Sequence, residues 1–153
     1  MKKVTISMVL LLTLALATGT LGCGGNGEED VRQAVDDQVA ALNAIDFDTV
    51  YAQQTPSYRT RVTQEEMEAF LMAAYADLLP IVESGQAQVE MENLDITVEG
   101  EWAYVTGQLT LADNVILEYD ADFPSIWRKI DGTWYDVEEN PAFPGYDPAE
   151  LPD

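Results

Sequence analysis

The hydrophobic period of this chain changes once. Between Glu28 and Val82 apolar residues recur every three or four positions, and beyond Gly85 they alternate with polar ones. A period near 3.6 buries one stripe of a helix, whereas a period of two buries one face of a strand. A chain that spends its first half on helices and its second on consecutive strands folds as α+β. Helices then pack on an antiparallel sheet whose apolar face they must cover.

Val31, Val35, Val39, Leu42 and Ile45, with Ala34, Ala41 and Ala44 beside them, predict a first helix from Glu28. Glu28, Glu29 and Asp30 fall in its first turn, where the helix dipole favours negative charge. Asp46 can cap a shorter helix carrying Phe47, Val50 and Tyr51, which Thr55-Pro56 ends. Ser57 to Val62 reads as a loop. Thr63-Gln64-Glu65-Glu66 is a capping box, opening a third helix with Met67, Phe70, Leu71, Ala74, Tyr75, Leu78 and Val82 on one face. Pro80 should kink or end that helix, because it lacks an N–H and clashes with the preceding turn. Ser84-Gly85 closes it.

In the second half, Val89 and Met91 alternate on odd positions and Leu94, Ile96 and Val98 on even ones, so a β-bulge is expected at Asn93. Glu99-Gly100-Glu101 turns the chain into Trp102 to Ala112, and Asp113-Asn114 into Val115 to Asp122. Phe123-Pro124 interrupts, Ser125 to Ile130 resumes, and Asp131-Gly132, a strong hairpin signal, leads to Thr133 to Val137. The strands should form a meander. Residues 138 to 153 hold four of the seven prolines without periodicity and read as an extended tail, packed through Phe143 and Tyr146.

Composition removes several functions. The 153 residues include 28 Asp and Glu against 7 Lys and Arg, no His and one Cys, for a net charge of −21. Without imidazole there is no Ser-His-Asp or Cys-His nucleophile and no His-ligated metal, and lone Cys23 allows neither an internal disulfide nor a cysteine zinc site. Nucleic acid is a poor partner for so acidic a chain. Asp46-Phe47-Asp48 and Asp120-Ala121-Asp122 lack the glycine and distal Glu of a calcium loop. No metal and no cofactor are expected. The acidity either attracts cations or a basic partner, or serves as a solvated, self-repelling surface, as in adaptation to high salt.

Lys2 and Lys3 followed by an apolar run from Val4 to Ala17 mark residues 1–22 as a targeting segment, too short to span a bilayer comfortably. Thr20-Leu21-Gly22-Cys23 resembles the bacterial lipoprotein signal, although Thr20 stands where an aliphatic residue is usual. The resemblance implies cleavage before Cys23, lipidation of its thiol and acylation of the new amino terminus. The other reading is an ordinary secretory signal with an incidental cysteine. Two or more acyl chains hold a protein stably on a membrane. The mature chain would then sit on the outer side of a bacterial membrane, tethered through Gly24-Gly25-Asn26-Gly27. Gly24 rather than Asp follows the cysteine, so the inner-membrane retention signal is absent. Loss of Lys2 and Lys3 takes the charge from −21 to −23, with Arg32, Arg59, Arg61, Arg128 and Lys129 the remaining cations.

Val31 to Tyr58, centred on Val39-Ala40-Ala41-Leu42-Asn43-Ala44-Ile45-Asp46-Phe47-Asp48, resembles the opening helix and turn of the nuclear transport factor 2-like superfamily. Trp127-Arg128-Lys129-Ile130-Asp131-Gly132-Thr133-Trp134 resembles its closing hairpin. The division is therefore a signal over 1–22, a lipidated cysteine and tether over 23–27, a domain over 28–138 and a tail over 139–153. The resemblance implies a curved sheet wrapped around helices into a cystatin-like cone with an apolar cavity at its wide end. That superfamily holds steroid isomerases, a dehydratase, polyketide cyclases and many binding domains without activity, so fold alone does not select among them. Such domains often dimerise through the outer sheet face, which leaves a homodimer open.

Enzymes of that superfamily pair a cavity carboxylate with Tyr, Asp or His, and here only the Tyr or Asp version can be built. Asp136, two residues after Trp134, shares its face and would point into the cavity; a bulge would instead turn Val137 inward and leave Asp136 in water. Glu118 and Asp120 share a face with Ile116 and would line the cavity or an exposed strand face. Tyr51, Tyr58, Tyr75, Tyr119, Trp127 and Trp134, with Tyr104 and Trp102, supply aromatic surface for a pocket or for the core. Arg59 and Arg61 would clamp a carboxylate at the mouth or pair with neighbouring acids. The residues favour a domain that binds a small apolar or cationic ligand or a protein partner, with an isomerase, cyclase or dehydratase as the alternative.

Overall fold

The computed structural model describes residues 27–152. The targeting segment, Cys23 and residues 24–26 of the tether lie outside the described residues. The chain folds as α+β, as its change of period requires: α1 (Gly27–Ala44), α2 (Phe47–Ala52), α3 (Tyr58–Arg61), α4 (Gln64–Ala74) and α5 (Leu79–Glu83) precede β1 (Val89–Glu99), β2 (Trp102–Leu111), β3 (Asn114–Tyr119), β4 (Ser125–Ile130) and β5 (Thr133–Val137).

The sheet is antiparallel throughout, and long β2 organises it. One edge of β2 pairs with β1. The other edge pairs with β3 along Gly107 to Leu111 and with β4 along Trp102 to Val105. β3 and β4 thus form one interrupted strand, broken where Phe123-Pro124 denies the ladder a donor. The meander is present with that interruption. Three two-residue turns join the strands: Ala112-Asp113 (φ 51° and 63°) and Asp131-Gly132 (φ 51° and 87°) have positive φ at both central positions, and Gly100-Glu101 has it at Gly100 (φ 66°), as such hairpins need.

The bulge at Asn93 is also present. Glu92 pairs with Gln108 and Asp95 with Thr106, so Asn93, at φ 54°, and Leu94 together face Gly107. Gly107 has φ 153°, and a Cβ there would lie 2.8 Å from the Glu92 carbonyl oxygen. Only glycine fits without a backbone shift.

α1 lies on the sheet through Val31 and Val35, which pack with Ile96, Ala103, Val105, Trp127 and Trp134. Its far end is pinned by Asn43, whose amide donates to the Val89 carbonyl (2.8 Å) and accepts from the Val89 N–H (2.7 Å), as a neighbouring strand would. A second cluster joins the helices through Ala41, Val50, Tyr58, Val62 and Met67. A third gathers Val89, Leu109 and Leu111 under Val39, Leu78, Ile81 and Val82.

Two readings of the helical half need revision. Ser57 to Val62 contains a helical turn, α3, held by the buried Tyr58 side chain and by Thr55, whose hydroxyl accepts from the Tyr58 N–H (3.1 Å). The third predicted helix is two, because the chain leaves helical geometry at Tyr75 and Pro80 opens α5 from its first turn, where a missing N–H does no harm. The capping box of Thr63 and Glu66 forms as read.

Candidate functional site

A cavity of about 220 Å³ opens between the second and third clusters. Leu42, Val50, Met67 and Leu71 line it from the helices and Val89, Leu109 and Leu111 from the sheet. Its other end is polar, with Asp136, Glu138 and Glu139 together with Gln38, Gln54 and Asn140. The volume falls below the roughly 300–1,000 Å³ usual for drug-sized ligands, so the occupant it suits is small.

Asp136 enters through a regular strand. β5 carries no bulge: Trp127 pairs with Asp136 and Ile126 with Val137, so Trp134 and Asp136 face inward together while Val137 is buried on the opposite side. The free edge of β5 is closed by the segment after α2, where the Asp136 N–H donates to the Gln53 carbonyl (2.9 Å). The Asp136 Oδ2 accepts from Gln38 Nε2 (2.8 Å) and Gln54 Nε2 (3.0 Å). Burial pushes the carboxyl up to about 6, and the two amide donors hold it back from rising further. Gln54 is 6% exposed, and its Oε1 is buried without a partner among the described residues.

Glu138 and Glu139 join the site from the start of the proline-rich segment. Glu138 continues the alternation of Trp134 and Asp136, a signal the sequence carried. Burial lifts Glu138 to about 7 and Glu139 to about 9, and the charge of Asp136 adds to both. Tyr58, Tyr75 and Tyr119 line the same cavity; burial raises Tyr58 to about 12 and moves Tyr75 and Tyr119 upward. Tyr51 does not line it, since its hydroxyl donates to the Val62 carbonyl (2.9 Å), with the Arg59 carbonyl at 3.2 Å. Trp127 and Trp134 belong to the core under α1 instead.

Glu118 does not reach the cavity. The register shift between Leu109 and Thr110 pairs Leu117 with Leu109 and Tyr119 with Gly107, reversing the faces of β3. Ile116, Leu117 and Tyr119 line the cavity, while Glu118 is exposed and accepts from Gln108 Nε2 (2.9 Å). Asp120 is exposed and accepts from the N–H groups of Asp122 and Phe123.

The tail closes the site. Phe143 lines the cavity and meets Phe70 edge-on (ring centroids 4.6 Å apart). Arg61 fastens this segment, donating to the Gly145 carbonyl (2.8 Å) and the Glu150 carboxylate (2.6 Å) and lying 3.6 Å from Asp147. Arg59, Arg128 and Lys129 lie over the rings of Tyr135, Trp102 and Trp134. Arg32 pairs with Glu28, and none of these five cations lines the cavity. Among the described residues, no three Asp, Glu, Cys or His side chains gather closely enough to hold a metal ion.

No protein-family model matches the chain, and no curated protein does. Among solved structures it is similar to a cystatin-like-fold protein of unknown function from Nostoc punctiforme. The two are 14% identical over 75% of this chain and 94% of that one, with a TM-score of 0.48. It is also similar to an NTF2-like protein from Cytophaga hutchinsonii, 13% identical over 74% of this chain and 95% of that one, with a TM-score of 0.45.

Proposed function

We propose that this is a lipid-anchored extracytoplasmic binding domain whose cavity holds a small molecule with an apolar body and does not transform it. The observation that carries the reading is the cavity itself, apolar for most of its wall and polar at one end, the usual constitution of a small-molecule site. Asp136, the best placed base, is hydrogen-bonded by two amides, and among the described residues no tyrosine hydroxyl donates to a carboxylate. A base without an opposed donor lacks the partner that steadies a developing oxyanion. The anchor at Cys23 rests on the signal-like sequence before it.

Native mass spectrometry of the protein purified from its own host tests the reading. One small molecule should accompany the wild type and be missing from Leu109→Trp, whose indole fills the cavity. A wild type as bare as the variant overturns it.

The second reading, an acid–base enzyme, draws on a carboxyl lifted to about 6 in an apolar cavity with three tyrosines. It requires that the protein speed exchange of the α-protons of a simple ketone in D2O and that Asp136→Asn abolish this. Equal rates with and without protein exclude it.

A further inference from the structure

We propose that the ligand of this cavity is an organic amine, bound as its ammonium ion by Asp136, Glu138 and Glu139 with the Gln54 carbonyl oxygen beside them. The inference rests on the binding reading above and names the chemistry of the head group.

Three acidic side chains line one end of the cavity, and among the described residues no Lys or Arg does. A buried carboxylate without a counter-charge is unfavourable unless a positive group arrives to meet it. Gln54 supplies an independent observation: its Nε2 donates to Asp136, while its Oε1, buried on a side chain 6% exposed, accepts no hydrogen bond from any of the described residues. Buried acceptors left empty are rare and costly. An ammonium group carries one positive charge and three donors, enough for the Gln54 oxygen and two of the three carboxyls, while the third acts through its charge.

Other head groups fit less well. A carboxylate or phosphate ligand would meet like charge. An alcohol would satisfy the acceptor and leave the charge uncompensated. The acids do not converge as a metal-binding group does. The remaining wall, from Leu42 and Val50 across to Leu109 and Leu111, takes an alkyl or aryl body. The net negative charge of the whole chain also concentrates cations near its surface.

Burial raises all three carboxyls, to about 6, 7 and 9 for Asp136, Glu138 and Glu139, and the charge of Asp136 adds to the rise of the two glutamates, so protons remain on the group near neutrality. The other titratable groups lining the cavity are Tyr58, Tyr75 and Tyr119, all neutral at that pH. An arriving ammonium stabilises the ionised carboxylates, so binding releases protons to the buffer.

The test uses full-length protein in lipid nanodiscs and three probes of equal length: n-hexylamine, 1-hexanol and hexanoate. Calorimetry is run in two buffers of different ionisation enthalpy, with empty nanodiscs as the blank. The amine should bind at least tenfold tighter than the alcohol, release protons, and leave hexanoate without measurable binding. Asp136→Asn should erase the preference for the amine while the alcohol still binds, which also shows that the variant is folded. Should that variant fail to fold, Glu138→Gln and Glu139→Gln, beyond the strand, should each weaken the amine alone. If alcohol and amine bind the wild type equally, the amine assignment falls and the binding reading stands. If none of the three binds, both fall.

Discussion

Replacing Asp136 by Asn should stabilise the empty protein at neutral pH. The carboxyl is neutral in both the folded and the unfolded chain below about pH 3.8, its ordinary value. Between 3.8 and the folded value of about 6, the unfolded chain has lost the proton and the folded chain keeps it, so rising pH favours unfolding. The stability this carboxyl contributes is complete below 3.8 and gone above about 6. At about 1.4 kcal/mol per pH unit, the difference is about 3 kcal/mol. Asn keeps an oxygen for the Gln38 and Gln54 amides and carries no charge. It should match the wild type at pH 4 and exceed it by up to about 3 kcal/mol at pH 7.5. Removing the charge also relieves Glu138 and Glu139, which it pushes upward, so the decline above pH 6 should become shallower. Urea unfolding followed by circular dichroism from pH 4 to pH 8 measures both effects. A variant less stable than wild type at pH 7.5, or one with the same pH slope, would refute the claim that Asp136 is held in the cavity against its solvation. The expected gain in stability with loss of ligand is the usual relation between a binding site and its scaffold.

Other outcomes follow from particular contacts. Gly107→Ala should cost about 2 kcal/mol or more in the same unfolding assay, because its Cβ meets the Glu92 carbonyl at a positive φ; a cost under about 0.5 kcal/mol would mean the bulge adapts. Arg61→Ala should cost about 1 kcal/mol and speed hydrogen exchange across residues 143–151, since one guanidinium fastens Gly145, Asp147 and Glu150; unchanged exchange there would show that Phe143 holds the tail alone. Cys23→Ser should release the protein from membranes and abolish labelling by a radioactive fatty acid. Unchanged membrane association would remove the anchor.

Local rules made much of the fold legible. The capping box at Thr63, the bulge at Asn93 and the Asp131-Gly132 turn each follow from short-range chemistry, and each is where the sequence placed it. The second bulge, opposite Leu109 and Thr110, escaped because Val115, Ile116 and Leu117 are all apolar and no alternation marks the extra residue. That single residue exchanged Glu118 for Tyr119 on the cavity face. Tyr51, Trp127 and Trp134 illustrate a different limit: periodicity tells which side chains turn inward, but not whether they meet a core or a void. The tail hid Glu138 and Glu139 because proline content outweighed an alternation that ran two residues past the strand.

The cavity between α2, α4 and the sheet should take up a ligand. A 15N chemical-shift titration with n-hexylamine reads this directly. The wild type should show saturable shifts at Leu42, Val89, Leu109 and Asp136, with none at Thr97 and Thr106 on the outer sheet face, and Leu109→Trp should show none at all. Shifts that never saturate, that map to the outer face, or that persist unchanged in Leu109→Trp would contradict it.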